Sequence, residues 1–219
     1  MAISWTNNMG NNFIVIVFAK APVPGHAKTR LIPAMGAEQA ALLHAALAER
    51  AVTTAQKSGA ADVELCCTPD SDQSFFQYCG EDFDVTLSEQ GEGDLGERML
   101  RALNRTLEDV EQAIIIGADC PALSAKHIEA AARVLDDAEV VLMPAEDGGY
   151  VLIGATRTDP KMFDDIHWGT SSVLAEQRRN LSACGLTVME TDTLWDVDRP
   201  EDLARVKALK PPLEFFWPI

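Results

Sequence analysis

The feature that most constrains this chain is a bare apolar run, Phe-Ile-Val-Ile-Val-Phe-Ala at residues 13–19, which breaks at once into a loop holding Pro22, Pro24 and Gly25. A short unbroken run rich in β-branched and aromatic residues reads as a strand buried on both faces, the kind found at the centre of a parallel sheet. The prolines and the glycine prevent it from continuing as strand or helix. Loops at the carboxyl end of a central parallel strand are where open α/β sheets bind ligands. This one carries Lys20, Lys28 and Arg30, and no acidic residue precedes Glu38 in a chain with 34 Asp and Glu against 18 Lys and Arg. Residues 20–30 therefore read as an anion-binding loop for phosphates, a solvated loop with a few lysines being the alternative. No Gly-x-Gly-x-x-Gly follows the strand, so a dinucleotide fingerprint is unsupported. Gly25-His-Ala-Lys28-Thr29 lacks the first glycine of a P-loop and could not wrap a triphosphate in the same way.

Further along, the pattern predicts helices over 37–58, 71–79, from the loop 88–98 to about 110, from the Ser124 cap to about 136, from Thr170 or Ser171 onward, and after Pro200. Strands are predicted at 63–68, 83–87, 113–117, 140–143, 150–155 and 186–190. Only residues 144–149 separate two of these strands, too few for a parallel crossover, so that pair is antiparallel. The expected fold is a three-layer α/β/α arrangement on a mixed, mostly parallel sheet of about seven strands. A single domain over 13–219 follows a flexible segment, 1–12.

A formal net charge of −16 sets the whole molecule against nucleic acid or an anionic membrane as partner. A small anionic substrate then needs local cations or a metal. No targeting or membrane-spanning segment is visible. The five cysteines form no Cys-x-x-Cys pair and read as reduced thiols of a cytoplasmic protein.

Several loops could carry chemistry. Asp119 in Gly117-Ala-Asp-Cys-Pro121 follows a strand directly, where a carboxylate can hold a divalent cation; an Asx-type turn is the alternative. Gly91, Gly96 and Arg98 would suit close approach of a base or phosphate, while Asp94, with Glu97 three residues on, has the spacing of a capping box. Asp147, Gly148, Gly149 and Tyr150 form a tight-turn sequence at a rim that can line a pocket. Asp196-Val-Asp198 offers a second metal ligand or a helix cap before Pro200. The four histidines show no metal-ligand spacing, and His44 and His127 are expected on helix surfaces.

Taken together, Phe18-Ala-Lys-Ala-Pro-Val-Pro-Gly-x-x-Lys-Thr-Arg-Leu31, Gly117-Ala-Asp-Cys-Pro121, Pro144-Ala-Glu-Asp-Gly-Gly-Tyr-Val-Leu-Ile-Gly154, Trp168-Gly-Thr170 and Asp196-Val-Asp-Arg-Pro-Glu-Asp-Leu203 resemble the selenodomain-associated transferase family, formerly a domain of unknown function. The resemblance covers residues 13 to about 207. It implies the GT-A fold of nucleotide-diphospho-sugar transferases, with a nucleotide or nucleotide-sugar donor held between the loops 20–30 and 91–98. Asp119 matches the metal-binding aspartate of GT-A enzymes, and Asp198 the second ligand of related nucleotidyltransferases, with Mg2+ or Mn2+ as cofactor. The proline-containing first loop replaces the glycine-rich loop of sugar-1-phosphate nucleotidyltransferases, and Cys120-Pro121 replaces the end of an Asp-x-Asp. On this reading Lys28, Arg30 and Asp119 are catalytic. The donor is bound by Ala19, Lys20, Pro24, Gly25, Thr29, Gly91, Asp94, Gly96, Arg98, Gly117, Asp147, Gly148 and Gly149, and Tyr150 and Trp168 border the acceptor pocket. Glycosyl transfer is favoured over nucleotidyl transfer, and a non-catalytic nucleotide-binding protein is the remaining alternative. Base, sugar, acceptor and oligomeric state stay open.

Overall fold

The computed structural model describes residues 12–213; apart from Asn12, the segment 1–12 expected to be flexible lies outside them. The chain runs β1 (Phe13–Lys20), a 3-10 turn (Thr29–Leu31), α1 (Ile32–Met35), α2 (Ala37–Gln56), β2 (Asp62–Thr68), α3 (Ser74–Asp82), β3 (Thr86–Glu89) and α4 (Leu95–Thr106). It continues through β4 (Gln112–Gly117), α5 (Ala125–Val134), β5 (Val140–Pro144), β6 (Tyr150–Ala155), α6 (Val173–Ala183), β7 (Val188–Glu190), a second 3-10 turn (Pro200–Asp202) and α7 (Leu203–Lys207). The strands form one sheet in the order β3-β2-β1-β4-β6-β5-β7. β6 is antiparallel to β4 and β5, and the other pairings are parallel, as the short 144–149 connection requires.

β1 lies between β2 and β4, and its unbroken apolar run follows from burial on both faces. Phe13, Val15, Val17 and Ala19 point to the core under α2, α3 and α5. Ile14, Ile16 and Phe18 point to the core under α4 and α6. A third cluster packs Leu31, Met35, Leu43 and Leu47 against Val197, Val206 and Leu213, and so draws the segment after β7 over the outer side of α2. The result is the three-layer α/β/α architecture with a mostly parallel sheet.

Boundaries shift where local chemistry outweighs pattern. The strand expected at 83–87 forms instead at Thr86–Glu89, because α3 runs on to Asp82, Phe83 closes it by donating its N–H to the Cys79 carbonyl at 3.1 Å, and Asp84 turns at φ 50°. All five cysteines are free thiols. Among the described residues no helix is long and apolar enough to cross a membrane. The connections from β1 and β4 leave the sheet toward different neighbours, so the crevice at their carboxyl ends is the switch point of the fold.

Candidate active site

Asp119, two residues beyond β4, stands at that crevice. Its carbonyl accepts the Val197 N–H at 2.9 Å, joining the end of β4 to the segment after β7. Its side chain is held from two sides: Lys28 Nζ lies 2.7 Å and His44 Nδ1 3.3 Å from the same oxygen, Oδ1. That oxygen is enclosed, yet the side chain as a whole keeps 45% of its exposure, which therefore lies away from Oδ1. Burial pushes the carboxyl up, but the Lys28 ammonium and then His44 outweigh it and hold Asp119 well below the usual carboxylate range.

Lys28 sits in the left-handed region, φ 49°, a conformation that costs an L-residue about 1–2 kcal/mol. Its side chain is only 7% exposed and also donates to the Val197 carbonyl. His44 is 5% exposed, not at a helix surface as expected, and its Nε2 lies 3.0 Å from the Lys20 carbonyl. The reason lies in α2: Ala40, His44, Leu47, Ala48 and Ala51 fall on its buried stripe, a spacing that carries the signal in the sequence. His127 caps α5 reciprocally with Ser124, half-buried at the helix start.

A cleft of about 380 Å³ opens in front of Asp119. Asp119, Asp147, Asp196, Asp198 and Arg30 supply its charges, Tyr150 and Trp168 its aromatic walls, and Phe18, Met99 and Ile115 part of its apolar lining. Gly117 also lines it, with open space where a Cβ would stand. Arg30 pairs with Asp198, whose N–H donates to Asp202 at 3.0 Å. Asp196 has no ion-pair partner among the described residues; burial and then the neighbouring Asp147 charge push it up to about 6. The Tyr150 hydroxyl is turned away to Gln177 Oε1 at 3.1 Å, and its burial there raises its pKa. Tyr150 therefore offers the cleft its ring. Trp168 tilts against Phe163, and Gly96 lies under both: a Cβ there would meet Phe163 Cβ at 2.7 Å.

Of the sequence-predicted binding set, Arg30, Gly117, Asp119, Asp147, Gly149, Tyr150, Trp168 and Asp198 line this cleft, with Lys28 behind Asp119. The others stand outside the lining. Ala19 is buried in β1, and its carbonyl accepts from Gln90 at 3.3 Å. Lys20 donates to the His26 carbonyl at 3.0 Å, and Gly25 and Thr29 are exposed. Pro24 lines a separate apolar groove with Leu42 and Phe75. Gly91 packs near the Arg101 guanidinium, Asp94 caps α4 in a capping box with Glu97, and Arg98 donates to the Gly93 carbonyl. Gly148, at φ 92°, is pressed against the Ser171 carbonyl.

Among the described residues no group of three or more His, Cys, Asp or Glu is arranged to hold a metal ion. The chemistry of the cleft nevertheless fits Mg2+ or Mn2+. Its donors are carboxylate oxygens, Asp147 and Asp196 leave surplus negative charge, and such ions are commonly bound by one or two carboxylates together with substrate phosphates.

A search of curated proteins gives no match. Solved structures match widely. A proposed nucleotide-diphospho-sugar transferase from Desulfovibrio desulfuricans G20 is 27% identical, over 90% of this chain and 88% of that one, with a TM-score of 0.81. A nucleotidyl transferase from Methanothermobacter thermautotroptrophicus is 12% identical over 91% and 97%, TM-score 0.62. Glucosyl-3-phosphoglycerate synthase from Mycobacterium tuberculosis, in complex with Mn2+, uridine diphosphate and glucosyl-3-phosphoglycerate, is 10% identical over 90% and 76%, TM-score 0.54. These last two likenesses concern the fold, which is that of GT-A and nucleotidyltransferase proteins. The family that matches residues 51–170, more than half of the sequence, is described as "Uncharacterized protein conserved in bacteria (DUF2064)", and the chain belongs to it.

Proposed function

We propose that the chain is a transferase taking its group from a nucleotide-activated donor, within the selenodomain-associated branch that its motifs resemble, and that the group is glycosyl. The observation that carries the reading is Asp119, clamped at the switch-point crevice with its carboxylate open toward a cleft of about 380 Å³. Asp119 and Asp198 would hold Mg2+ or Mn2+, which supplies neutralising charge to a leaving diphosphate. Arg30, 60% exposed at the rim and paired with Asp198, would turn to the same phosphates once the metal takes that carboxylate. Lys28 acts from behind, keeping Asp119 ionised. The rings of Tyr150 and Trp168 border the acceptor side. A strongly acidic molecule of this kind has no use for nucleic acid or anionic membrane, and we place it in the cytoplasm.

Glycosyl transfer is favoured by the first loop. A nucleotidyl transferase must cradle a triphosphate, and glycine-rich loops do this with backbone N–H groups. Here Pro22 and Pro24 have none, and the amides of Val23, His26 and Ala27 are spent inside the loop on the carbonyls of Ala21 and Val23. A diphosphate leaving group demands less. The test is two product assays on one purified sample. With Mn2+ present, slow release of nucleoside diphosphate from a panel of nucleotide sugars is expected, and no pyrophosphate from triphosphates mixed with sugar phosphates. Pyrophosphate would establish the nucleotidyl alternative, and nucleotide binding without either product the non-catalytic one.

A further inference from the structure

We propose that His44 is a positioning residue that orients Asp119 and ties it to the end of β1, a role that rests on reading the cleft as the donor site. A histidine in the buried stripe of α2 is a costly choice for packing alone, since alanine or leucine fills its neighbouring positions without a polar group to satisfy. Each of its ring nitrogens faces an oxygen. Nε2 lies 3.0 Å from the Lys20 carbonyl at the end of β1, and Nδ1 lies 3.3 Å from Asp119 Oδ1 beyond β4. Those two strand ends flank the switch-point crevice, so the ring bridges the two sides of the site. The other partner of Oδ1 is Lys28, at the end of a flexible side chain in the basic loop. His44 has few rotatable bonds and sits on a twenty-residue helix, so it is the stiffer of the two supports. It takes the inner oxygen and leaves the rest of the carboxylate facing the cleft.

Two near-isosteric substitutions separate the contacts. The amide of His44→Asn stands close to where Nδ1 stood and offers an N–H to Asp119. The amide of His44→Gln reaches the place of Nε2 and keeps the Lys20 contact. Mn2+ binding is measured alone and with UDP, GDP, ADP and CDP, and thermal stability on the same samples. His44→Gln is expected to lose about tenfold or more in Mn2+ affinity, the usual cost of losing a group that orients a metal-binding side chain. His44→Asn should restore most of that loss while melting at the lower temperature, so that the orders of affinity and stability cross. Affinity and stability falling in the same order, or both variants binding like the parent, would overturn the proposal and leave His44 a packing residue. If the parent binds neither Mn2+ nor any nucleotide, it is the donor-site reading that fails. In that case the unfolding midpoints of His44→Gln, Asp119→Asn and the double variant decide. Non-additive shifts support the contact, and additive shifts overturn it.

Discussion

The Lys28 ammonium is almost wholly enclosed and has two oxygen partners, the Asp119 carboxylate and the Val197 carbonyl. Replacing Asp119 by alanine removes the charged one and leaves a buried cation with a single carbonyl. Asp119→Ala should therefore destabilise by about 1–3 kcal/mol in urea unfolding at pH 7, the cost of a buried group left under-satisfied. Adding Lys28→Met should recover much of that, because the uncompensated charge disappears. A loss below about 0.5 kcal/mol in the single variant would mean that Lys28 swings out to water. The pH dependence has a definite sign. Folding lowers the Asp119 pKa, so the folded state holds its proton less tightly than the unfolded chain. The stabilisation is complete above the unfolded value of about 4 and disappears as pH falls through the lower folded one. The place of Asp119 at the crevice was legible because it follows a bare apolar strand. The burial of Lys28 was not, since it arises from contacts with Asp119 and Val197, far off in the chain, that no local spacing encodes. His44 was misread as a surface residue, although its spacing from Ala40, Leu47 and Ala51 puts it in the buried α2 stripe; the oxygens it faces have no signal in the sequence.

Elements whose identity depends on length and turn chemistry read cleanly from the sequence: β1, the β5–β6 hairpin and its antiparallel sense, and the α4 capping box. Less legible were β3, displaced when α3 ran on, and α1, which forms directly after a proline- and glycine-bearing loop. The hairpin does more than connect strands. The Gly148 carbonyl accepts the Leu174 N–H at 2.9 Å, and Gly148 itself, at φ 92°, lies so close to Ser171 that a Cβ would stand 2.3 Å from its carbonyl oxygen. This clip sets the start of α6 and thereby the cleft-lining residues Trp168, Gly169 and Thr170. Gly169, at φ 79°, has nothing within 4 Å of the place a Cβ would take. Gly169→Ala should therefore cost only the backbone strain, about 1 kcal/mol, whereas Gly148→Ala should cost about 1–3 kcal/mol more because a main-chain carbonyl must move. Equal losses from the two variants in denaturant unfolding would remove the clip from the account.

At the scale of the whole molecule the question is how a chain of net charge −16 could receive the anionic donor proposed for it. The island of positive charge in residues 20–30 suggests free cations, but in the folded protein each is engaged: Lys28 with Asp119, Arg30 with Asp198, and Lys20 with the His26 carbonyl. Around the cleft four aspartates stand against one arginine. Local and global fields therefore agree in repelling an uncomplexed diphosphate, and salt should relieve that repulsion, since the screening length shortens to about 8 Å at physiological ionic strength. In EDTA, raising NaCl from about 20 to about 150 mM should leave UDP affinity unchanged or tighten it. With Mn2+ the slope should reverse, because salt screens the attraction that brings the cation to the aspartates. Calorimetric titration at the two salt levels, with and without Mn2+, reads both slopes. A steep loss of metal-free affinity with salt would mean that Lys20, Lys28 and Arg30 leave their present partners to meet the phosphates. The basic loop would then be the principal anchor, as the sequence first suggests, and the carboxylate cleft would be secondary.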